Sequence, residues 1–289
     1  MHMTSSGTKS GVVAVVTGAS RGAGKGIALA LGQTGATVYV TGRSKQRGDS
    51  AYGGTVGETA ALIDEAGGTG VAVALDHADD AAVAALFERI AREHGRLDIL
   101  VNNAAKFAGP VTPHGFWNNP LELADLITVG LRSHFTAAYH AAPLLIANGR
   151  GLIVNTGYYG AVSYHQGPAY GAQKAGADKM AADMAKELRP HNVAAVSIWM
   201  GHLSTERAIA YRASQSPQEL ASVMQESPQF TGRVIAAFYA QDDMMSYSGR
   251  AIIGAELGAL LGVTDIDGTV PPSLRDELGA PPELHHTLR

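Results

Sequence analysis

The residues best suited to chemistry are a tyrosine and a lysine four positions apart, Tyr170 and Lys174. Side chains with this spacing share one face of a helix. A nearby ammonium group stabilises a phenolate, so we expect Lys174 to lower the pKa of Tyr170 from its ordinary value of ~10. A tyrosine tuned in this way can exchange a proton with a carbonyl or alcohol oxygen. The pair therefore predicts acid–base chemistry, although the spacing alone is a weak signal.

A glycine-rich turn near the start of the chain predicts nucleotide binding. Gly18, Gly22 and Gly24 follow the apolar run 12–16 and open a helical segment. Glycine lets the backbone turn sharply and approach a phosphate closely, and the free N–H groups of a helix start favour an anion. A glycine-rich loop without a ligand is the alternative. The order strand, turn, helix favours a dinucleotide.

The residues after the second apolar run indicate which dinucleotide is preferred. An acidic residue there would bind the adenosine ribose hydroxyls and favour NAD. This chain has Gly42 at that place, followed by Arg43, while Arg21 adds a second guanidinium in the glycine turn. Guanidinium groups suit a 2′-phosphate, so we expect NADP, with two solvated surface arginines as the alternative. Asp76, after the third apolar run, is expected to accept a hydrogen bond from the adenine amino group, with a helix N-cap or a solvated turn residue as the alternative.

These residues need a scaffold, which the apolar pattern predicts. Short apolar runs alternate with helical segments and no linker interrupts them. Runs that are apolar on both faces are typical of a parallel sheet covered by helices on both sides. We therefore expect an α/β fold with a single domain over 1–289, a Rossmann-type doubly wound parallel sheet of about seven strands. The predicted strands are Val12–Val16, Val38–Val40, Val71–Leu75, Leu97–Val101, Leu152–Asn155, Val193–Trp199 and Ala251–Ile253.

Four further segments complete the predicted domain. A long helix is expected over Leu121–Ala147, with Pro143 bending it or marking a break. The segment Ser204–Phe230 mixes apolar and charged residues and is expected to cover the substrate. Residues 1–10 predict a flexible tail, and 262–289, rich in proline, glycine and charge, predict an irregular C-terminal extension.

Composition excludes several classes of function. The 289-residue chain has a net charge of −4 and a pI near 6.2, so it lacks the basic footprint of a nucleic-acid-binding protein. It has no cysteine, which excludes disulfides and thiolate catalysis. No apolar stretch is long enough to span a membrane, and the start lacks the apolar core of a signal peptide. We expect a cytoplasmic protein, and no grouping of His, Asp and Glu predicts a metal site.

Together these motifs resemble those of the short-chain dehydrogenase/reductase family. The resemblance runs from about Val12 to Leu257, which is most of the chain. The motifs that carry it are the turn Gly18/Gly22/Gly24, Asp76, Asn102–Ala105, Tyr170 with Lys174, and Gly201 with Thr205. Within the family, a mammalian subgroup is similar at Thr41–Arg43, Phe116–Trp117, Val129–Arg132 and Asp265–Gly268.

The resemblance implies roles for individual residues. It implies that Lys174 binds the nicotinamide ribose, that Asn103 lies against the cofactor, and that Leu203 and Thr205 lie near the nicotinamide. It also implies a homo-oligomer, either a dimer or a tetramer, and a small carbonyl or alcohol as substrate. The residues expected to bind the cofactor are then Gly18, Ser20, Arg21, Gly22, Gly24, Arg43, Asp76, Asn103, Lys174, Leu203 and Thr205.

Two positions depart from the family pattern. Gly130 replaces an asparagine that the family uses to hold a water near the lysine, and Gly157 replaces a substrate-orienting serine thirteen residues before the tyrosine. Losing such a donor costs ~2.7–4 kcal/mol of transition-state stabilisation. Tyr158 is the candidate replacement and Thr156 the other nearby hydroxyl, while ordinary packing is the alternative for Tyr158.

Two hypotheses follow from these features. In the first, the protein is an NADP(H)-dependent oxidoreductase in which Tyr170 donates the proton and Tyr158 supplies the missing hydrogen bond. In the second, it is a nucleotide-binding protein of the same fold with little or no redox activity, acting as a sensor or assembly partner. The intact pair Tyr170 and Lys174 favours the first, while Gly130 and Gly157 favour the second.

Overall fold

A seven-stranded parallel sheet forms the centre of the molecule. The computed structural model describes residues 11–107, 111, 115–213, 226–283 and 285, so the predicted tail 1–10 lies outside the described residues. The strand order is β3-β2-β1-β4-β5-β6-β7. The strands are β1 Val13–Val16, β2 Thr37–Gly42, β3 Thr69–Ala74, β4 Ile99–Asn102, β5 Gly151–Gly157, β6 Val193–Trp199 and β7 Ala251–Ile253. The doubly wound α/β fold predicted from the apolar runs is confirmed.

Helices cover both faces of the sheet, which explains why its central strands are apolar on both sides. The helices are α1 Gly22–Gly32, α2 Val56–Glu65, α3 Asp80–His94, α4 Asp125–Thr128, α5 Arg132–Ala147, α6 Pro168–Leu188, α7 Glu206–Arg212, α8 Pro228–Tyr239, α9 Gly254–Leu260 and α10 Arg275–Leu278. Side chains of α1, α2 and α8 share one apolar cluster with the sheet. Those of α3, α5 and α6 share a second cluster on the opposite face.

The prediction of one continuous helix over Leu121–Ala147 is wrong, because the structure divides this segment. The chain forms a 3₁₀ turn over Leu121–Ala124, then α4, and breaks at Val129–Leu131 before α5 begins. Pro143, where the sequence predicts a bend or break, lies within α5. The break includes Gly130, where a Cβ would lie 2.4 Å from the backbone carbonyl oxygen of Leu126.

The carboxyl ends of the strands bring the predicted site residues together. β1 lies between β2 and β4, so the glycine turn after β1 and the polar residues after β4 meet at the point where the strand order reverses. The register pairs Asn102 with Asn155 and Gly157 with Trp199. This edge of the sheet is therefore the expected ligand site.

The C-terminal extension packs back onto the same edge. Asp265 accepts hydrogen bonds from the backbone N–H and the hydroxyl of Ser227, at the start of α8. The backbone N–H of Leu274 donates to the hydroxyl of Tyr159 at 3.1 Å. The extension is mostly irregular, as predicted, but contains the short helix α10, which that prediction missed.

Candidate active site

A cleft of about 680 Å³ opens above the carboxyl ends of β1, β2 and β4. Most of the predicted cofactor residues line it, but Lys174 and Leu203 are not among the described residues of its wall. Leu203 instead forms a backbone bridge with Glu226. The predicted residues on the wall are Gly18, Ser20, Arg21, Gly22, Gly24, Arg43, Asp76, Asn103 and Thr205.

The glycine turn has the geometry that phosphate binding requires. Gly18 and Gly22 adopt φ angles of 65° and 59°, a region that favours glycine. The side-chain amide of Asn103 donates to the carbonyl oxygens of Thr17 at 2.8 Å and Gly18 at 3.1 Å. A Cβ on Gly24 would lie 2.4 Å from that amide nitrogen. Asn103 therefore holds the turn in shape, a role that the sequence did not indicate.

A carboxylate already lies at the anion-binding end of this turn. The Gly22 N–H, at the start of α1, donates to Glu206 Oε2 at 2.8 Å, and Lys25 Nζ lies 3.7 Å from Glu206 Oε1. Helix N-termini bind phosphates through such free N–H groups. The residues present therefore fit the pyrophosphate of a dinucleotide, with the Glu206 carboxylate standing in its place. Glu206 is a functional residue that the sequence analysis missed.

The two arginines expected at a 2′-phosphate differ in their surroundings. Arg21 donates to the carbonyl oxygens of Gly53 at 2.6 Å and Gly54 at 3.0 Å, and also to Ser44. The Arg21 guanidinium therefore holds the loop at Gly53 and Gly54 in place. Arg43 is more than half exposed and makes one long ion pair, 3.8 Å from Nη1 to Asp76 Oδ2.

Arg43 therefore retains donors that face the cleft. Gly42 needs no special backbone angle, and a Cβ there would make only ordinary contacts, the nearest being 3.4 Å from Val56. Packing therefore does not explain the glycine at this position.

Tyr170 and Lys174 lie together on α6, but their electrostatics differ from the expectation. Burial, followed by the charge of Tyr158, raises the pKa of Tyr170. Burial lowers the pKa of Lys174 to about 8. Lys174 Nζ donates to the Thr156 carbonyl at 2.8 Å and lies 5.5 Å from the Tyr170 ring centroid. The expected lowering of the Tyr170 pKa by Lys174 is wrong for this arrangement, and Tyr170 is a neutral phenol.

Tyr158 lies in an aromatic cluster beside Tyr170. Its side chain is buried, with 7% exposed, and its ring centroid is 6.2 Å from that of Tyr170. Its hydroxyl lies 3.2 Å from His202 Nδ1, and the His165 ring is 4.8 Å from its own ring, measured between centroids. Burial raises the pKa of Tyr158 to about 12 and lowers those of both histidines. Tyr158 is therefore a neutral hydrogen-bonding group within the reaction site.

Neighbouring atoms occupy the space at both glycine departures. A Cβ on Gly157 would lie 2.3 Å from Trp199 Cδ1 and 2.5 Å from Ser197 Oγ. A Cβ on Gly130 would lie 2.4 Å from the backbone carbonyl oxygen of Leu126 and 3.1 Å from Gln173 Cγ. Gln173 Nε2 donates to the Gly130 carbonyl at 2.8 Å. Trp199 and Gln173 are buried residues on β6 and α6. No sequence signal marked either one.

The described residues contain no group of three His, Asp or Glu side chains that could hold a metal ion. Within the same ranges, no helix combines the length and apolarity needed to cross a bilayer.

Comparison with known proteins agrees with this geometry. A profile described as short chain dehydrogenase matches residues 12–216. The chain belongs to the short-chain dehydrogenase family. It is 38% identical over 273 residues to dehydrogenase/reductase SDR family member 1 of Mus musculus, which covers 89% of this chain and 84% of that protein. The family and subgroup predicted from the motifs are confirmed, and the family consists of oxidoreductases that use nicotinamide cofactors.

Two further proteins are also similar to this chain. The cis-4-hydroxycyclohexanecarboxylate dehydrogenase of Sinomonas cyclohexanicum is 38% identical over 170 residues, which cover 57% of this chain and 62% of that enzyme. A crystal structure from Sinorhizobium meliloti, described as a short-chain alcohol dehydrogenase, superposes with a TM-score of 0.70 at 31% identity. The superposition covers 87% of this chain and 97% of that one.

Proposed function

We propose that this protein is an NADP(H)-dependent oxidoreductase that interconverts a carbonyl and an alcohol, with Tyr170 as the proton donor for reduction. The observation that carries the proposal is the half-buried, neutral Tyr170 on α6, one helical turn from the buried Lys174 and at the same sheet edge as the nucleotide cleft. A bound nicotinamide would supply or accept the hydride. The Tyr170 phenol would give its proton to the substrate oxygen.

The other residues have supporting roles in the proposal. The buried Lys174 would hold the nicotinamide ribose and supply positive charge near the oxygen that gains the proton. The start of α1 would bind the pyrophosphate, and Arg43 the 2′-phosphate. Tyr158 would donate the hydrogen bond that a serine gives elsewhere in the family.

The name of one relative indicates which class of substrate to test first. The Sinomonas cyclohexanicum enzyme is named for a hydroxyl on a cyclohexane ring. Here the reaction site is walled by the rings of Phe107, Tyr158 and Tyr170, and apolar ring faces suit a saturated ring. We infer that alicyclic secondary alcohols and their ketones are the first compounds to test.

The deciding experiment measures NADPH binding and turnover separately. Tyr170→Phe should abolish ketone-dependent NADPH oxidation and leave the NADPH dissociation constant nearly unchanged. Lys174→Ala should damage both. Tyr139→Phe, at an exposed tyrosine on α5, is the matched control and should change neither. Normal turnover by Tyr170→Phe contradicts the mechanism. NADPH binding with no turnover of any alicyclic or aliphatic carbonyl supports instead a nucleotide-binding protein without redox activity, which the comparisons do not favour.

We also infer a homo-oligomer, a dimer or a tetramer. Phe135 and Tyr139 expose 55% and 67% of their surface on one side of α5, an apolar patch that association would bury. Sedimentation velocity of the parent protein and of Phe135→Glu tests this, since the charge should yield monomers.

A further inference from the structure

A buried carboxylate beside the reaction site has no part in the proposed chemistry. Asp178 lies on α6, four residues after Lys174, with 7% of its surface exposed. Both of its oxygens accept from the indole N–H of Trp199, at 3.1 Å and 3.0 Å. Buried carboxylates are costly and persist only where paired or hydrogen-bonded. The position therefore calls for a functional explanation.

The first consequence of this contact is the position of the Trp199 ring. An indole has one hydrogen-bond donor, so a single acceptor fixes the rotation of the ring. The ring so fixed presents Cδ1 to Gly157 and packs against Tyr159 at 5.2 Å between centroids. Tyr159 in turn packs edge-on against Tyr158 at 5.6 Å. Asp178 thus stabilises the positions of Trp199 and Tyr159. These two rings form the floor against which Tyr158 packs.

The second consequence is electrostatic. Along α6, the side chains of Lys174 and Asp178 share one face because of their spacing. Asp178 favours the charged form of Lys174, while burial opposes it. Burial raises the pKa of Asp178 to about 6, against the stabilising effects of Ser197, Trp199 and Lys174. The groups that face Asp178 are therefore Lys174 on its own helix and the neutral Ser197 and Trp199 of β6.

We propose that Asp178 is a positioning residue of the reaction site, which fixes the Trp199 indole beneath Gly157 and places a carboxylate one helical turn from Lys174. The inference extends the proposed oxidoreductase function, but its main test needs no turnover. Asp178 is not among the described residues of the cleft wall, so it acts through Trp199 and Lys174.

The test uses the emission of a single tryptophan. The chain has two tryptophans, and Trp117→Phe leaves Trp199 as the only one. Since a carboxylate holds the indole N–H, the emission of Trp199 should change with pH around a midpoint near 6, where Asp178 titrates. Asp178→Asn should remove this transition. Lys174→Met should raise its midpoint by about one unit, because the carboxylate loses a favourable charge. Asp183→Asn, at an exposed carboxylate on the same helix, should leave the transition intact.

A second readout follows catalysis. Asp178→Asn should move the alkaline limit of turnover to lower pH by about one unit, since Lys174 loses its partner charge. Asp178→Glu keeps the negative charge and should keep the alkaline limit of the parent protein. This variant distinguishes the loss of the charge from a failure to fold. A Trp199 transition that persists in Asp178→Asn, or an alkaline limit that does not move, overturns the proposal. An enzyme without turnover but with the predicted fluorescence changes would refute the proposed function and leave the role of Asp178 standing.

Discussion

Trp199 lies in the space that a side chain at position 157 would need, with its Cδ1 atom 2.3 Å from where a Cβ on Gly157 would be. Real Cβ atoms essentially never approach another heavy atom so closely. The tryptophan and the glycine face each other because their strands pair in this register. The indole therefore occupies volume that a serine at position 157 would share.

Gly157→Ser should consequently destabilise the protein and lower activity. The φ of Gly157 is unexceptional, so the obstacle to a serine is the Trp199 ring. Overpacking of this kind costs about 1–3 kcal/mol, which urea denaturation can measure. Gly57→Ser, at an exposed glycine whose Cβ would make only an ordinary contact, 3.9 Å from Thr55 Oγ1, is the control. Unchanged stability of Gly157→Ser would show that Trp199 moves aside freely.

Sequence patterns predicted the fold well because each strand and helix carries its own signal. The bounds of β6 and β7 match the predicted segments, since apolar runs are local features. The packing of Trp199 against Gly157 joins residues forty-two positions apart, and no local pattern reports such contacts. Glu206 was missed for the same reason, since it meets Gly22 only through the tertiary fold.

Some predictions failed because two local signals competed. Pro143 was expected to bend the long helix or to mark a break. The helix α5 is continuous through Pro143, so no break occurs there, because a proline removes only one N–H hydrogen bond. Phe230 was assigned to the substrate-covering segment, whereas it is buried in α8, which packs against α1. The helix start at Ser227-Pro228, with a serine cap and a proline in the first turn, was the available signal.

Cofactor preference should reverse on two substitutions at the end of β2. Gly42→Asp introduces a carboxylate into a position with room for a Cβ, and Arg43→Ala removes the exposed guanidinium. Both should weaken NADPH binding, because the 2′-phosphate loses a donor or meets a negative charge, and Gly42→Asp should strengthen NADH binding. Titration of nicotinamide fluorescence with both cofactors measures this. Equal affinities for NADPH and NADH in the parent protein would contradict the assignment.

Removing the charge of Glu206 should strengthen cofactor binding. Its carboxylate accepts from the Gly22 N–H, where the pyrophosphate is expected, so the two negative groups compete for one donor. Glu206→Gln should lower the NADPH dissociation constant about fivefold, or about 1 kcal/mol, and the difference should shrink at high salt. Calorimetry at two ionic strengths checks this, with the exposed Glu187→Gln as control. Weaker binding would mean that Glu206 organises the site rather than competing for it.

The alkaline side of the pH profile should report Lys174. Burial lowers its pKa from an ordinary 10.5 to about 8, so the charged form predominates below that pH and is lost as pH rises through it. NADPH affinity and turnover should therefore decline above pH ~8. Lys174→Arg keeps the charge at every accessible pH and should remove the decline in NADPH affinity, whatever its effect on turnover. A parent profile that stays flat to pH ~10 would show that the ammonium charge is not required.

Tyr158→Phe should reduce turnover at least about tenfold, equivalent to ~1.4 kcal/mol, with little change in NADPH affinity. The ring would keep its packing against Tyr170 and His165, whereas the hydroxyl that bonds to His202 would be lost. Because burial raises the Tyr158 pKa to about 12, the parent hydroxyl remains a hydrogen-bond donor throughout the working pH range. Tyr159→Phe removes the neighbouring hydroxyl, which only accepts from the Leu274 N–H, so it should lower stability without a comparable loss of kcat. If Tyr158→Phe retains parental kcat and Tyr159→Phe does not, the substrate oxygen is oriented through the floor formed by Tyr159 and Trp199, and Tyr158 is a packing residue.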